Sequence, residues 1–155
     1  FLFGNAFYLF NPMEENGTRT YRETLSALLV NEAVMSITDQ YMARAGLNWN
    51  VSKKGWNVFC GARIEGIPVR DLIGGSAGFR RPGYVVSVEP GLDWMRGRHD
   101  LNVSVPIAVQ RNRTQSVTDK ENSEITGTYR QGDAAFSDWL LNLTWSIRLG
   151  KGDAL

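Results

Sequence analysis

Apolar and polar residues alternate along most of this chain with a period of two. The alternation is clear over residues 39–52, 56–66, 84–95, 101–112 and 139–149. Strict alternation places apolar side chains on one face of a β-strand and polar side chains on the other. Residues 1–11 are apolar on both faces, so the orientation of this sixth segment stays open. The pattern predicts an all-β protein with about six strands.

The lengths of these strands and of their connections narrow the class. The strands are about 11 residues long, which is long for a soluble domain but suits a tilted membrane crossing. Tight turns near 52–55 and 96–99 alternate with long loops near 12–38, 68–83 and 113–137. Short turns on one side and long loops on the other are typical of bacterial outer-membrane barrels. Residues 1–155 are therefore predicted to form a single segment of an antiparallel, up-and-down transmembrane β-barrel, with its short turns in the periplasm.

Six large aromatic residues of the apolar face lie near strand ends. Trp49, Trp56 and Trp94 are beside the short turns, and Tyr41, Tyr84 and Trp139 are at the opposite ends. Aromatic rings gather at both membrane interfaces, because an amphipathic ring suits the headgroup level. These six residues are predicted to contact outer-membrane lipid. The alternative, a soluble β-sandwich or lipocalin-like protein that binds an apolar ligand, would place its largest side chains in mid-strand.

Composition changes this picture in one respect. The chain has 155 residues, a net charge of +1 and 43% hydrophobic residues, which argues against a disordered tail. It has no apolar run long enough for a transmembrane helix. Six strands are fewer than the roughly eight of the smallest single-chain barrels. The chain also starts at Phe1, without an initiator Met or a signal peptide. We therefore expect a partial barrel, either a fragment or a subunit, that needs the remainder of the barrel or other chains for closure.

Several loop and strand segments resemble a known family. They are YRETLS at 21–26, NEAVMS at 31–36, DQYMAR at 39–44, GARIEGIPVRDLIGGS at 61–76, GFRRPGY at 78–84, VEPG at 88–91 and RNRTQS at 111–116. Together they resemble the outer-membrane proteins of the phenol-degradation meta-pathway (MetA-pathway) transporter family. The resemblance covers nearly the whole chain. It implies the C-terminal half of a single-chain outer-membrane barrel that transports small, often aromatic, organic molecules, and it implies no catalytic residue. One departure is the chain end, which continues to Leu155 instead of closing on an aromatic residue.

If the apolar face meets lipid, the charged residues of the other face become candidate pore-lining groups. They are Arg44, Arg63, Glu65, Glu89, Asp93 and Arg148. Isolated charges in a narrow barrel are costly, so these groups are expected to pair or to contact water. One interpretation is a polar pathway whose charges select solutes. The other is an ion-paired plug that only fills the barrel.

The second long loop carries a candidate mouth cluster, Arg70, Phe79, Arg80 and Arg81. It could recruit an anionic or aromatic solute, or it could simply contact lipid headgroups and water. In the first long loop, leucines at helical spacing over residues 22–35 fit a short helix at the mouth. An extension of the neighbouring strands fits that segment equally well.

Covalent chemistry is poorly supported by the sequence. The single histidine, His99, lies in a tight turn on the side opposite to the long loops, and Cys60 projects from the apolar face. Four acidic residues between 119 and 133 match no calcium-loop spacing, so a solvated acidic loop is expected there. We expect no catalytic site, no metal and no cofactor. The interspersed charges give no basic stripe for nucleic acid.

The function favoured by the sequence is a channel or transporter of the bacterial outer membrane. Small, aromatic or hydrophobic organic solutes would diffuse through it passively. Two alternatives stay open beside it: the soluble β-protein with an apolar ligand, and a structural or adhesive surface barrel whose loops contact partners.

Overall fold

The computed structural model describes residues 1–133 and 135–149. Long alternating segments form strands, because alternation lets each strand present one chemical type to each side of a sheet. The described elements are β1 (Leu2–Leu9), β2 (Glu15–Arg19), a 3-10 helix (Ala27–Glu32), β3 (Val34–Ser36), β4 (Gln40–Ser52), β5 (Trp56–Ile67), β6 (Gly83–Arg96), β7 (His99–Ser104), β8 (Ile107–Arg113), α1 (Val117–Thr126) and β9 (Asn142–Ile147).

The main sheet is an antiparallel meander in the order β1-β4-β5-β6-β7-β9, and β8 pairs with β6 beyond β7. Strands β7 and β8 together run along one side of β6, so they act as one interrupted strand. The predicted all-β, antiparallel, up-and-down arrangement is confirmed, and the sheet is curled. Among the described residues, β1 pairs only with β4 and β9 pairs only with β7, which leaves both edges of the sheet open.

The sequence pattern missed the interruption between β7 and β8. Residues 101–112 are predicted as one uninterrupted strand, but Pro106 has no N–H to donate to a ladder. Val105 N–H donates to Pro90 O at this point. A bulge follows at Val109. Ala108 pairs with Ser87 and Gln110 pairs with Val86, so Val109 is one residue more than β6 offers partners for. Beyond the bulge, Gln110 and Asn112 therefore take positions of the apolar face instead of the predicted polar face.

Burial across the sheet is inverted relative to a soluble protein. We name its two sides by composition. The apolar face is exposed, with Leu143 at 67% and Trp145 at 64% relative accessibility. The polar face lies inside the curl, where Asn57 and Glu89 are each only 1% exposed. The buried hydrophobic side chains of the sheet, Met42, Phe59 and Val85, also belong to the polar face.

The three long loops contain structure of their own. Strands β2 and β3 form a small hairpin in the first loop, and the 3-10 helix lies between them. Of the two alternatives for residues 22–35, the short helix is present as this 3-10 helix, whereas β3 belongs to a separate hairpin and does not extend β1 or β4. In the third loop, the side chains of Ser116 and Asp119 cap the first turn of α1 reciprocally, and Gly127 ends the helix with φ of 64°. The solvated acidic loop expected there is wrong for Asp119, which is buried.

Candidate lumen and loop mouth

The centre of the polar face is the carboxylate of Glu89. Arg44 Nη1 donates to its Oε1 at 2.8 Å, and Ser104 Oγ donates to the same oxygen at 2.6 Å. Arg63 Nη1 lies 4.0 Å away. Arg44 also donates from Nε to Asn5 Oδ1 at 2.8 Å. Strands β1, β4, β6 and β7 therefore converge on one ion pair. Asn5 and Arg44 share one register position, whereas Glu89 lies two positions and Ser104 four positions further along the sheet.

Two further groups extend this network along the polar face. Towards the long loops, Arg63 Nη2 donates to Glu65 Oε2 at 2.5 Å. Towards the short turns, Asp93 accepts from Asn48 Nδ2 at 2.9 Å and from Asn102 Nδ2. These contacts bring Arg44, Arg63, Glu65, Glu89 and Asp93 onto one surface.

The sixth predicted lumen residue, Arg148, does not join this network. It lies after β9, is exposed, and its N–H donates to Arg98 O at the short turn. Its side chain makes no hydrogen bond or ion pair within the described residues. The network that does form carries two arginines and three carboxylates, so it is nearly balanced and offers both donors and acceptors to a polar solute.

Two strand glycines, Gly61 and Gly91, lie beneath the aromatic rings of Phe3 and Phe59, which the sequence pattern did not single out. A Cβ on Gly61 would lie 2.6 Å from Ala45 O and 3.1 Å from Phe3 Cζ. Phe59 packs edge-on against Phe3, with ring centroids 5.5 Å apart, and covers Gly91 in the same way. Covering strand glycines with aromatic rings helps to fix register where a sheet curves. The signal in the sequence was weak, because residues 1–11 are apolar on both faces.

The mouth cluster divides into a buried and an exposed part. Arg80 is 2% exposed, and its guanidinium donates to Asp71 Oδ1 at 3.1 Å and Oδ2 at 2.7 Å. It also donates to Ser36 Oγ at 2.7 Å. The side chain thus ties the second loop to the first and is not free to recruit a solute. Arg70 is exposed.

Asp39 anchors the same junction at the start of β4. Burial alone would raise the pKa of Asp39, but it accepts hydrogen bonds from the N–H of Asn11 and Leu72 and from the Tyr8 hydroxyl. With the nearby charge of Arg80, these bonds hold the pKa of Asp39 below its ordinary value. The carboxylate is the stable form here, and it joins the end of β1 to the second loop.

A second junction connects all three loops. Arg81 stacks on the ring of Phe79, 4.2 Å from its centroid. Glu32, at the end of the 3-10 helix, is buried, and the Tyr21 hydroxyl lies 3.5 Å from its Oε2. Burial, and next the charge of Asp119 in α1, raises the pKa of Glu32, although Arg81 partly offsets them. One carboxyl with a raised pKa therefore lies where the three loops meet.

The predicted interface residues form two rows across the apolar face. Tyr8 pairs with Tyr41, which pairs with Gly66, which pairs with Tyr84. At the other end Trp56 pairs with Trp94, and their ring centroids are 6.2 Å apart. Trp49 lies close to this row, opposite Val58.

The fifth tryptophan of the chain changes these rows. Trp145 continues the row of Trp56 and Trp94 through Leu101, and its Nε1 donates to His99 Nδ1 at 3.3 Å. The alternation over residues 139–149 places Trp145 on the apolar face without assigning it to a row. Trp139, by contrast, pairs with Ile107, which pairs with Val88, so it does not share the register of Tyr41 and Tyr84.

No protein-family model matches the chain, and neither curated proteins nor solved structures are significantly similar to it. Within the described residues, no helix is long and apolar enough to cross a membrane. The same part of the chain contains no group of three or more His, Cys, Asp or Glu side chains that could hold a metal ion.

Proposed function

We propose that this chain forms part of the wall of a bacterial outer-membrane channel through which small organic solutes diffuse passively. The apolar face would meet lipid, the polar face would line the lumen, and the long loops would face outward. The observation that carries the proposal is the inverted burial of the sheet, with aliphatic and tryptophan side chains outside and ionised side chains inside. Barrels in a membrane require this arrangement, because their outer surface is solvated by hydrocarbon.

The spacing of the two aromatic rows supports the same proposal. Tyr84 and Trp94 lie on one strand and belong to opposite rows. Ten residues at about 3.3 Å each, tilted by about 40°, rise by about 25 Å. This height equals the apolar band of outer-membrane barrels, which is about 25 Å.

The soluble alternative explains less of the arrangement. A soluble sheet would bury its apolar face and solvate its charges, whereas here Glu89 is buried and Leu143 is exposed. The structural barrel is the stronger competitor. Its supporting observation is the pairing of Arg44 with Glu89 and of Arg63 with Glu65, since a paired network fills a lumen without any solute.

Two measurements on the full-length protein test the proposal. The first is the need for detergent: a protein that stays monodisperse in plain buffer is not a membrane barrel. The second is conductance and swelling of liposomes that contain the protein. A channel should raise both above the lipid control for small uncharged solutes, whereas an inert structural barrel should raise neither.

Ion selectivity then tests whether the polar face lines the path. Asp93→Arg reverses one charge of the network, and we expect it to shift permeability from cations towards anions. Glu124→Gln is the matched control, because Glu124 is an exposed residue of α1 away from the polar face. An unchanged permeability ratio in the Asp93 variant would contradict the proposed lumen.

A further inference from the structure

A cavity of about 280 Å³ lies where the third loop returns across the polar face. The returning segment, residues 135–140, covers parts of β5, β6 and β8. Its Phe136 ring lies against Gly83, where an added Cβ would approach Phe136 Cζ to 2.9 Å. The cavity is thus built by contact between a loop and the sheet, and its walls belong to this chain.

The chemistry of the walls is strongly asymmetric. Most of the wall is hydrocarbon or aromatic, including Val85, Phe136 and Leu140. Glu65 is the one ionisable residue of the wall among those that the structure describes, and Ser87 and Ser137 add hydroxyl groups. The wall therefore presents one carboxylate, whose Oε2 is bound by Arg63 Nη2 at 2.5 Å, and among the described residues it includes no cationic side chain of its own. At this wall a hydrogen-bond donor or a positive charge is favoured over an anion. Aromatic walls add an attraction for organic cations.

The position of Glu65 connects this cavity with the candidate lumen. Its Oε2 accepts from Arg63, and Arg63 lies 4.0 Å from Glu89, the centre of the polar network. Glu65 lines the cavity, and its side chain is 28% exposed although it is paired with Arg63. A solute that enters past the loops would reach the cavity first and the paired charges of the polar face next.

We propose that this cavity is a solute-binding subsite for compact apolar molecules that carry an ammonium or another hydrogen-bond donor at one end. The apolar body lies against Val85 and Phe136, and the donor group faces Glu65. Carboxylates of the same shape are disfavoured. The inference rests on the proposed channel function, because it assigns the class of solute that the channel admits.

Three probes of nearly equal shape test this assignment: cyclohexylmethylammonium, cyclohexylmethanol and cyclohexanecarboxylate. Binding to the full-length protein in detergent is measured by calorimetry. We expect the ammonium to bind best, the alcohol next, and the carboxylate at least tenfold more weakly than the ammonium. Equal binding of carboxylate and ammonium would overturn the proposal.

Two variants and a control locate the binding. Glu65→Gln should remove the advantage of the ammonium over the alcohol, and Ala108→Leu should weaken all three probes by filling the cavity. Glu124→Gln removes a carboxylate of the third loop that lies outside the cavity, and it should leave the binding of all three probes unchanged. The unfolding temperature of each variant verifies that it folds. If Glu65→Gln does not fold, Ala108→Leu still tests the cavity, because it leaves the Arg63–Glu65 pair intact. Unchanged binding in a folded Glu65 or Ala108 variant would overturn the assignment.

Liposome conductance separates this proposal from the channel itself. If the protein conducts but binds none of the probes, the subsite is refuted and the channel stands. If it binds the probes with the expected preference but does not conduct, the channel is refuted, and the cavity stands only as a ligand site.

Discussion

Asp39 and Glu32 are two buried carboxyl groups whose surroundings act on their charge in opposite directions. Asp39 accepts hydrogen bonds from Asn11, Leu72 and Tyr8, which favour the ionised form. Glu32 is buried, and the charge of Asp119 adds to the effect of burial, so the pKa of Glu32 is raised. The two groups should therefore leave opposite signatures in the dependence of stability on pH.

The first prediction concerns Asp39. Because its pKa is lower in the folded protein, its stabilisation is present above the unfolded pKa of about 4 and is lost as pH falls through the folded value. Asp39→Asn should reduce stability by about 1–3 kcal/mol at neutral pH. The difference from wild type should shrink as pH falls below about 4. The unfolding temperatures of wild type and Asp39→Asn in detergent, compared from neutral to acidic pH, measure this difference. An equal loss of stability at every pH would contradict the prediction.

The second prediction concerns Glu32. A carboxyl with a raised pKa holds its proton more tightly in the folded protein, so stability falls as pH rises from its unfolded pKa through its folded pKa. Glu32→Gln mimics the neutral form and should stabilise the protein at alkaline pH. It should be without effect at acidic pH, where the wild-type group is already protonated. The same unfolding series measures it, and destabilisation at alkaline pH would show that the negative charge is favoured here.

At the scale of the elements, the strands follow from the period of two, and so does the face shared by five of the six candidate lumen charges. The interruption of the strand predicted over residues 101–112 could not be derived in the same way. Pro106 marked the place, but the pairing of β8 with β6 depends on partners distant in sequence. Helix α1 was predictable in principle, because Ser116, Asp119 and Gly127 form recognisable cap signals. The burial of Arg80 was not predictable, since it depends on contact between two loops.

Neighbouring residues of β9 provide the sharpest test of the two faces. Leu143 belongs to the exposed apolar face, and Thr144 faces the polar side near Asp93 and Asn102. Leu143→Lys should destabilise the membrane-inserted protein by about 2–4 kcal/mol if the site is at mid-membrane, and Thr144→Lys should cost much less. Unfolding and refolding in lipid vesicles measures both. A harmless Leu143→Lys would support a soluble sheet instead.

The glycine under Phe3 provides a test of how the sheet is built. A side chain at Gly61 would meet Ala45 O and the Phe3 ring, so Gly61→Val should overpack the wall and cost about 1–3 kcal/mol. Gly4→Ala is the matched control, because its nearest atom would be 3.4 Å away, an ordinary contact. The two unfolding free energies are compared in the same lipid. Similar values for both variants would contradict close packing at Gly61.

At the scale of the whole molecule, the described residues form a curled sheet with open edges at β1 and β9 and loops joined to one another. Asn31 in the first loop donates to Glu121 in the third at 3.2 Å, and Arg80 joins the second loop to the first. The edge strands β1 and β9, unlike the loops, have unpaired backbone groups along one side. Such groups are not tolerated in hydrocarbon. Under the proposed function, β1 and β9 therefore pair with the remainder of the barrel or with other chains.

Hydrogen exchange tests this consequence for the assembled protein. In lipid nanodiscs, amides of β1 and β9 in the full-length protein should be as protected as those of β5, which is paired on both sides. Peptides from the second long loop serve as the exchanging reference. If either edge strand exchanges as fast as that loop, the sheet is not closed in the membrane.

The bulge at Val109 determines on which face of the sheet two arginines of β8, Arg111 and Arg113, lie. Counting by twos from Ile107 would direct Arg111 and Arg113 outward, but the extra residue pairs them with Val85 and Gly83 of the inward set. Under the proposed function, this single extra residue keeps two guanidinium groups out of the hydrocarbon. Deleting Val109 would turn the end of this strand inside out without changing its charge, and such a chain should fail to insert.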